Sequence, residues 1–376
     1  MKLLIDGHFL DGRKHGVAIF LDQLYTQYRK LQSEDELHIG LEPGGTLDYA
    51  LFGMPRVYIH RYRFGGALRF LYDIPFLARH INADVIHTQY IAPLRFGFTA
   101  KRHITLHDVL YEDFPELFGP IYRWSRKVVF GWSARRAELI TTVSEYSRSR
   151  IATLYGLRAV DIHLIYNGVV GDESNTSAPT LSRRENSILY VSRFEKRKNH
   201  LALLNSLRVL RKLHPGLRMV LVGFEVDGTL AKVRDYIVQH GLEDAVEIRS
   251  HISDTDLTNL YRTAGVVAYP SLGEGFGMPI IEAFLLNPNT LFSHTTAMAE
   301  FTFAPENTFD PADGTAITSK ISKALCNRDT VPPEWQAQRC EVIRKYNWSR
   351  SAKLLVQIYH TGDTTQVLRP PSGAES

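Results

Sequence analysis

Residues 266–284, VVAYPSLGEGFGMPIIEAF, hold the densest chemistry in the chain. They read as a strand, a glycine loop and a helix. Gly273, Gly275 and Gly277 leave room for positive φ and for a ligand to approach the backbone, and Pro279 suits a first helical turn. Free N–H groups and a partial positive charge at such a helix start make an anion site, and a diphosphate fits it. Glu274 in the loop and Glu282 on the helix flank it. Carboxylates accept two hydrogen bonds at once, which suits the paired hydroxyls of a sugar or ribose. The spacing differs from the G-x-G-x-x-G dinucleotide fingerprint, because Met278, Pro279 and Ile280 follow the third glycine.

A second cluster, Val191-Ser192-Arg193 with Lys196, Arg197, Lys198 and Asn199, forms a cationic corner where a strand turns into a helix. Breaking a sugar–phosphate bond loads negative charge on the leaving diphosphate, and fixed Arg and Lys groups can meet it where a metal does elsewhere. Lys196 and Arg197 read as a water-exposed basic helix start. Asp254 and Asp256 form a DxD, read as first-turn acids behind a Ser253 N-cap and not as metal ligands.

The elements that must position these groups alternate between short apolar runs and helical segments, as parallel sheets covered by helices require. Strands are expected near residues 2–5, 56–60, 83–88, 103–107, 139–144 and 162–165, then again near 188–192, 219–223, 246–249, 266–270 and 290–293. The division is a first Rossmann-like domain at 1–170, a linker at 171–186 rich in Ser, Thr, Asn and Pro, and a second domain at 187–348. A helix at about 349–360 is free to pack back on the first domain, and 361–376 reads as a frayed tail.

The segment from Glu274 to Ala283, E-G-F-G-x-P-x-x-E-A, resembles the signature of retaining glycosyltransferases of family 4, also called glycosyl transferases group 1, and the resemblance extends over nearly the whole chain. It implies the GT-B fold, an α/β architecture of two Rossmann-like αβα domains facing each other across a cleft. It assigns Arg193 and Lys198 to the diphosphate, Glu274 and His107 to the donor sugar, Glu282 to the ribose, and Gly16, Gly275, Phe276 and Gly277 to close donor contact. Glu274, His107, Arg193 and Lys198 are thereby the catalytic candidates. His107 ends a strand in Ile104-Thr105-Leu106-His107-Asp108, and Gly16 precedes the helical pattern of Val17, Leu21, Leu24 and Tyr25. Thr142-Val143-Ser144-Glu145 and Tyr166-Asn167-Gly168-Val169 match further landmarks and are assigned to turns and caps. The stretch from Ser293 to Glu300 matches one that lines the donor pocket. Asn287-Pro288-Asn289-Thr290 stands where the family has a glycine-proline turn, and a turn there is feasible because Asn can adopt left-handed conformations.

The implied function is retaining, metal-independent transfer of a hexose or deoxyhexose, mannose included, from a nucleoside-diphosphate sugar of GDP or UDP type. No cofactor is implied. The acceptor is a glycan or a lipid-linked glycan, in bacterial O-antigen, lipopolysaccharide or capsule assembly. A sugar-nucleotide epimerase on the same architecture is the alternative, and a non-catalytic basic protein binding nucleic acid or membranes a remote one.

Composition sets the outer limits. An apolar content of 44% and a charged content of 22% exclude a disordered or fibrous chain. A net charge of +4 and a pI of about 8.9 suit anionic ligands without making a nucleic-acid signature, so no nucleic-acid partner is expected. Asp6 cuts off any apolar leader, and Cys326 and Cys340 lack metal or disulfide spacing, which together point to the cytoplasm. Residues 122–136, YRWSRKVVFGWSARR, interleave basic and aromatic residues and offer peripheral contact with anionic membrane at its inner face. Residues 60–80 repeat the blend, and both stretches read equally as covering helices with snorkelling arginines.

Overall fold

The computed structural model describes residues 1–10, 12, 15–45, 48–169, 184–250 and 252–362. The chain divides into two compact units, one of residues 1–170 with 346–376, the other of residues 171–345. Most of the expected linker, residues 171–183, and the tail from 363 lie outside the described residues.

In the first unit the strands are β1 (Lys2–Asp6), β2 (Glu36–Leu41), β3 (Val57–Arg61), β4 (Val85–Gln89), β5 (Lys101–Thr105), β6 (Leu139–Thr142) and β7 (Ile162–Leu164). They form one parallel sheet in the order β3-β2-β1-β4-β5-β6-β7, with Leu3 paired to Leu37 on one side and to Val85 on the other. Helices α1 (Gly16–Leu31), α2 (Leu68–Leu71), α3 (Asp73–Ile81), α4 (Leu110–Asp113), α5 (Pro120–Arg136) and α6 (Glu145–Tyr155) make the crossovers. Strand β2 is absent from the sequence-based expectation. Gly40 is the reason it needs its sequence: a Cβ there would meet the Tyr62 ring at 2.2 Å, and the Tyr62 hydroxyl donates to Asp6 at 3.1 Å.

The second unit carries β8 (Ser187–Val191), β9 (Arg218–Val222), β10 (Val246–Arg249), β11 (Val266–Tyr269), β12 (Thr290–Ser293) and β13 (Thr308–Phe309). Their order is β10-β9-β8-β11-β12-β13, again all parallel. Helices α7 (His200–Leu210), α8 (Thr229–Gln239), α9 (Asp254–Thr263), α10 (Met278–Leu286), α11 (Gly314–Cys326) and α12 (Trp335–Lys345) connect and cover them.

The last helix, α13 (Trp348–His360), belongs to the first unit and packs on α1. There the Tyr25 and Tyr359 hydroxyls meet at 3.1 Å over two stacked imidazoles, His87 and His103, whose ring centres are 3.8 Å apart. Thr105 and Thr141 bond their far nitrogens at 2.8 Å each, so the buried polar groups satisfy one another.

Candidate functional site

In open parallel sheets ligands bind beyond the carboxyl ends of the strands, and in the second unit that edge carries the cationic corner and the glycine loop. Strand β8 runs into Ser192 and Arg193, then a 3-10 turn at Lys196–Lys198 closed by Asn199 at φ 54°. Strand β11 runs into the loop and then α10, whose N-cap is Gly277 at φ 104°. The Leu272 N–H donates to the Arg197 carbonyl at 2.9 Å and draws the two segments together.

An alternating chain of charge results. Lys198 Nζ donates to Glu274 Oε1 at 2.5 Å, and Arg197 Nη1 donates to Glu274 Oε2 at 3.0 Å. Arg197 also donates to the Gly273 carbonyl and to Glu195. Glu195 then pairs with Arg193 at 3.2 Å. The Arg193 side chain is 45% exposed, whereas those of Arg197, Lys198 and Glu274 are 10, 12 and 13% exposed. Burial alone would raise the Glu274 carboxyl, but the Lys198 and Arg197 charges outweigh it and hold it at about 2. Burial lowers Lys198, and the Glu274 charge opposes that.

Several expectations are corrected here. Arg197 is not a water-exposed helix start; it is buried and grips the glycine loop. Sequence reasoning missed it and Glu195, although the R-x-E-x-R-K alternation of residues 193–198 is a visible trace of the network. Among the three loop glycines only Gly277 has positive φ. The Phe276 side chain is buried edge-on against Phe301 at 5.9 Å, so only its backbone can meet a ligand. Asn287 is extended at φ −145°, and its side chain closes the turn by donating to the Tyr261 and Ala264 carbonyls and accepting from the Asn289 N–H.

Glu282 stands one turn into α10 and joins no hydrogen bond or ion pair among the described residues. Burial, and then the Asp254 charge, raise its carboxyl to about 7. Asp254 and Asp256 open α9, where Ser253 Oγ accepts from the Asp256 N–H at 3.1 Å as a cap does. The stretch after β12 braces the loop: Thr296 Oγ1 accepts from the Glu274 N–H at 2.8 Å, and Thr295 Oγ1 donates to the Leu272 carbonyl at 2.9 Å. Thr296 does this at φ 50°. A β-branched residue held there stores strain of a kind that gathers at ligand sites.

At the corresponding edge of the first unit, His107 follows β5 and Gly16 opens α1. His107 is buried, Nε2 donating to Gln89 Oε1 at 2.8 Å. Phe20 of α1 lies edge-on to it at 4.9 Å, with Tyr90 at 5.6 Å. Burial, and then the charge of His15, lower His107 to about 3, leaving a neutral ring whose Nδ1 can accept from a hydroxyl. Around Gly16 a Cβ would meet nothing within 4 Å, while the His15 side chain caps the helix start by accepting from the Ala18 N–H at 3.4 Å.

Helix α5 shows its apolar stripe to solvent. Ile121 is 84% and Trp124 69% exposed, with Val128 beside them, while Phe130 and Ala134 face inward. The same helix carries Arg123, Arg126, Lys127, Arg135 and Arg136. No helix among the described residues is long and apolar enough to cross a membrane.

The family model for glycosyl transferases group 1 matches residues 172–339, and that for glycosyltransferase family 4 matches residues 10–172. The O-antigen chain mannosyltransferase B of Escherichia coli is 30% identical over 232 residues, 59% of this chain and 60% of that protein. The phosphatidyl-myo-inositol mannosyltransferase of Mycobacterium leprae is 26% identical over 229 residues, 59% of each. The chain thus spans about three-fifths of these relatives. Among solved structures, the sucrose-phosphate synthase of Thermosynechococcus elongatus superposes with a TM-score of 0.75 at 18% identity, covering 95% of this chain and 98% of that one. Anabaena HepE, solved in complex with UDP and glucose, gives 0.74 at 18% identity, covering 96 and 99%. With the two family models together spanning residues 10–339, and those solved structures superposing over 95% or more of the chain, the chain belongs to the family 4 glycosyltransferases and has their GT-B fold.

Proposed function

We propose that this chain transfers a hexose or deoxyhexose from a GDP- or UDP-type nucleoside-diphosphate sugar to a glycan or lipid-linked acceptor, with retention of configuration and without a metal. The observation that carries the reading is the Arg193–Glu195–Arg197–Glu274–Lys198 network beside the start of α10. In the proposed step the bond from the anomeric carbon to the β-phosphate oxygen breaks as the acceptor oxygen bonds to the same face. The acceptor proton passes to a phosphate oxygen. Arg193, Lys198 and the Gly275 and Gly277 backbone take up the growing diphosphate charge. Glu274 and His107 orient the sugar, Glu282 holds the ribose diol, and Gly16 admits the phosphates.

Relatives named as mannosyltransferases of O-antigen and of phosphatidyl-myo-inositol support a mannose-like donor and a setting in bacterial surface polysaccharide. The solvent-facing apolar stripe of α5, on a helix that also carries cations, supports work at the inner face of an anionic membrane. The test is product analysis of purified protein given GDP-mannose, UDP-glucose and their relatives with an acceptor, in the presence of EDTA. Acceptor-dependent release of nucleoside diphosphate with α-linked product is expected. Donor conversion without acceptor would instead identify an epimerase, and loss of activity in EDTA would refute metal independence.

A further inference from the structure

A groove of about 400 Å³ runs along α5 in the first unit. Phe70 and Leu71 of α2, Ile91 and Leu94 beyond β4, and Val129 and Trp132 of α5 form its walls, and Arg126 is its one charged lining group. Its volume falls in the range of small-molecule sites, about 300–1,000 Å³. The α2 wall is anchored. Arg69, next to Phe70, pairs with the fully buried Asp6 at 3.2 Å and with Glu42 at 3.2 Å, tying α2 to the end of β1.

Two observations say what the groove takes. First, its cation is unmatched: Lys127 and Arg123 pair with Glu112 at 3.4 and 3.7 Å, but among the described residues no carboxylate pairs with Arg126, whose guanidinium lies over the Tyr122 and Phe130 rings at 4.9 and 5.3 Å. Second, the groove adjoins the candidate site. Tyr90 stacks on Phe130 of α5 at 5.0 Å and meets His107 at 5.6 Å, and it does so at φ 63°, immediately before the groove residue Ile91. A concave apolar wall that carries one guanidinium with no carboxylate partner among the described residues is complementary to a hydrocarbon chain bearing a phosphate.

We propose that this groove binds the chain of a single prenyl or long-chain alkyl phosphate, the lipid part of the acceptor, with Arg126 on the phosphate. The proposal rests on the reading of the acceptor as lipid-linked and names the residues that would select it.

The experiment uses purified full-length protein and farnesyl phosphate below its micellar concentration, with binding followed by titration calorimetry. Each buried CH₂ is worth about fourfold in affinity, so lengthening geranyl to farnesyl phosphate is expected to tighten binding by at least about tenfold. Farnesol, lacking the phosphate, is expected to bind about tenfold more weakly, and Arg126→Gln to bring farnesyl phosphate down to that level. Val129→Glu, at a half-exposed rim position, is expected to weaken binding about tenfold. A flat chain-length series on the unaltered protein overturns the proposal, as does undiminished binding by folded Val129→Glu; the series decides if that variant fails to fold. Capture by phosphatidylglycerol vesicles with no farnesyl phosphate binding also overturns it, in favour of a bilayer surface. A thermal shift with GDP or UDP reports the donor site separately: its persistence when prenyl binding fails overturns this proposal and leaves the donor reading standing.

Discussion

Glu282→Gln separates a structural carboxyl from one that meets a ligand. A carboxyl moved from the ordinary 4.5 to about 7 by burial and the Asp254 charge disfavours its ionised form in the fold by about 3 kcal/mol. Some solvent contact trims that to roughly 2–3 kcal/mol. Because the folded value lies above the unfolded one, the stability tied to protonated Glu282 is whole below pH 4.5 and lost as the pH rises through 7. Glutamine mimics the protonated form. Its advantage is therefore near zero at pH 4.5 and approaches roughly 2–3 kcal/mol at pH 8, a rise of about 5–10 °C in the melting temperature of a unit this size.

Calorimetric scans of parent and variant at pH 5 and pH 8 read the first effect. Nucleotide titration reads the second. If Glu282 binds the ribose diol as a carboxylate, its ionised fraction falls about tenfold from pH 8 to pH 6, and parent affinity falls with it. The nucleotide phosphate also titrates near pH 6, and the glutamine variant cancels that contribution. Equal melting gains at both pH values would refute the burial argument, and a parent-to-variant affinity ratio independent of pH would refute the ribose role.

Lys198→Ala is expected to cost at least about 2 kcal/mol of transition-state stabilisation, about thirtyfold in kcat/KM, and a purified Arg193→Ala/Lys198→Ala protein with undiminished donor turnover would contradict the site. Gly16→Ala meets no neighbour, so its unfolding free energy should stay within about 0.5 kcal/mol of the parent while donor KM rises; an unchanged KM removes Gly16 from the phosphate site. His87 is lowered to about 3 and His103 well below 6.5, both chiefly by burial, so the stability tied to their neutral rings is whole above pH 6.5 and lost as the pH falls toward 3. The first unit should weaken steadily below pH 6, and an NMR titration of either ring with a midpoint near 6.5 would refute that.

The glycine loop was legible because its chemistry is contiguous: strand, glycines, proline and both glutamates lie within residues 266–284. What escaped depends on contacts across the fold. Strand β2 is interrupted by Gly40, which reads as a break until Tyr62 is seen to occupy the space of its side chain. Arg197 looks like its neighbours Lys196 and Lys198, and only the turn closed by Asn199 at φ 54° sends it inward to Glu274. Closure of the turn by Asn287 depends on its side chain, which bonds two carbonyls brought near only by the fold while its backbone stays extended at φ −145°.

The charge count explains why the second unit's edge can remain stable and still favour an anion. Three cations and two carboxylates leave one net positive charge beside a helix start, so each buried group has a partner while the set keeps the positive excess that the proposed diphosphate role needs. Glu274 is central to that balance. By bonding Lys198 it opposes the loss of the lysine proton that burial encourages, and by bonding Arg197 it ties the cationic turn to the glycine loop. Its own carboxyl stays ionised down to about pH 2, so the arrangement holds throughout the physiological range. The cations are thus fixed before charge develops on a leaving group, and little reorganisation is left for the reaction itself.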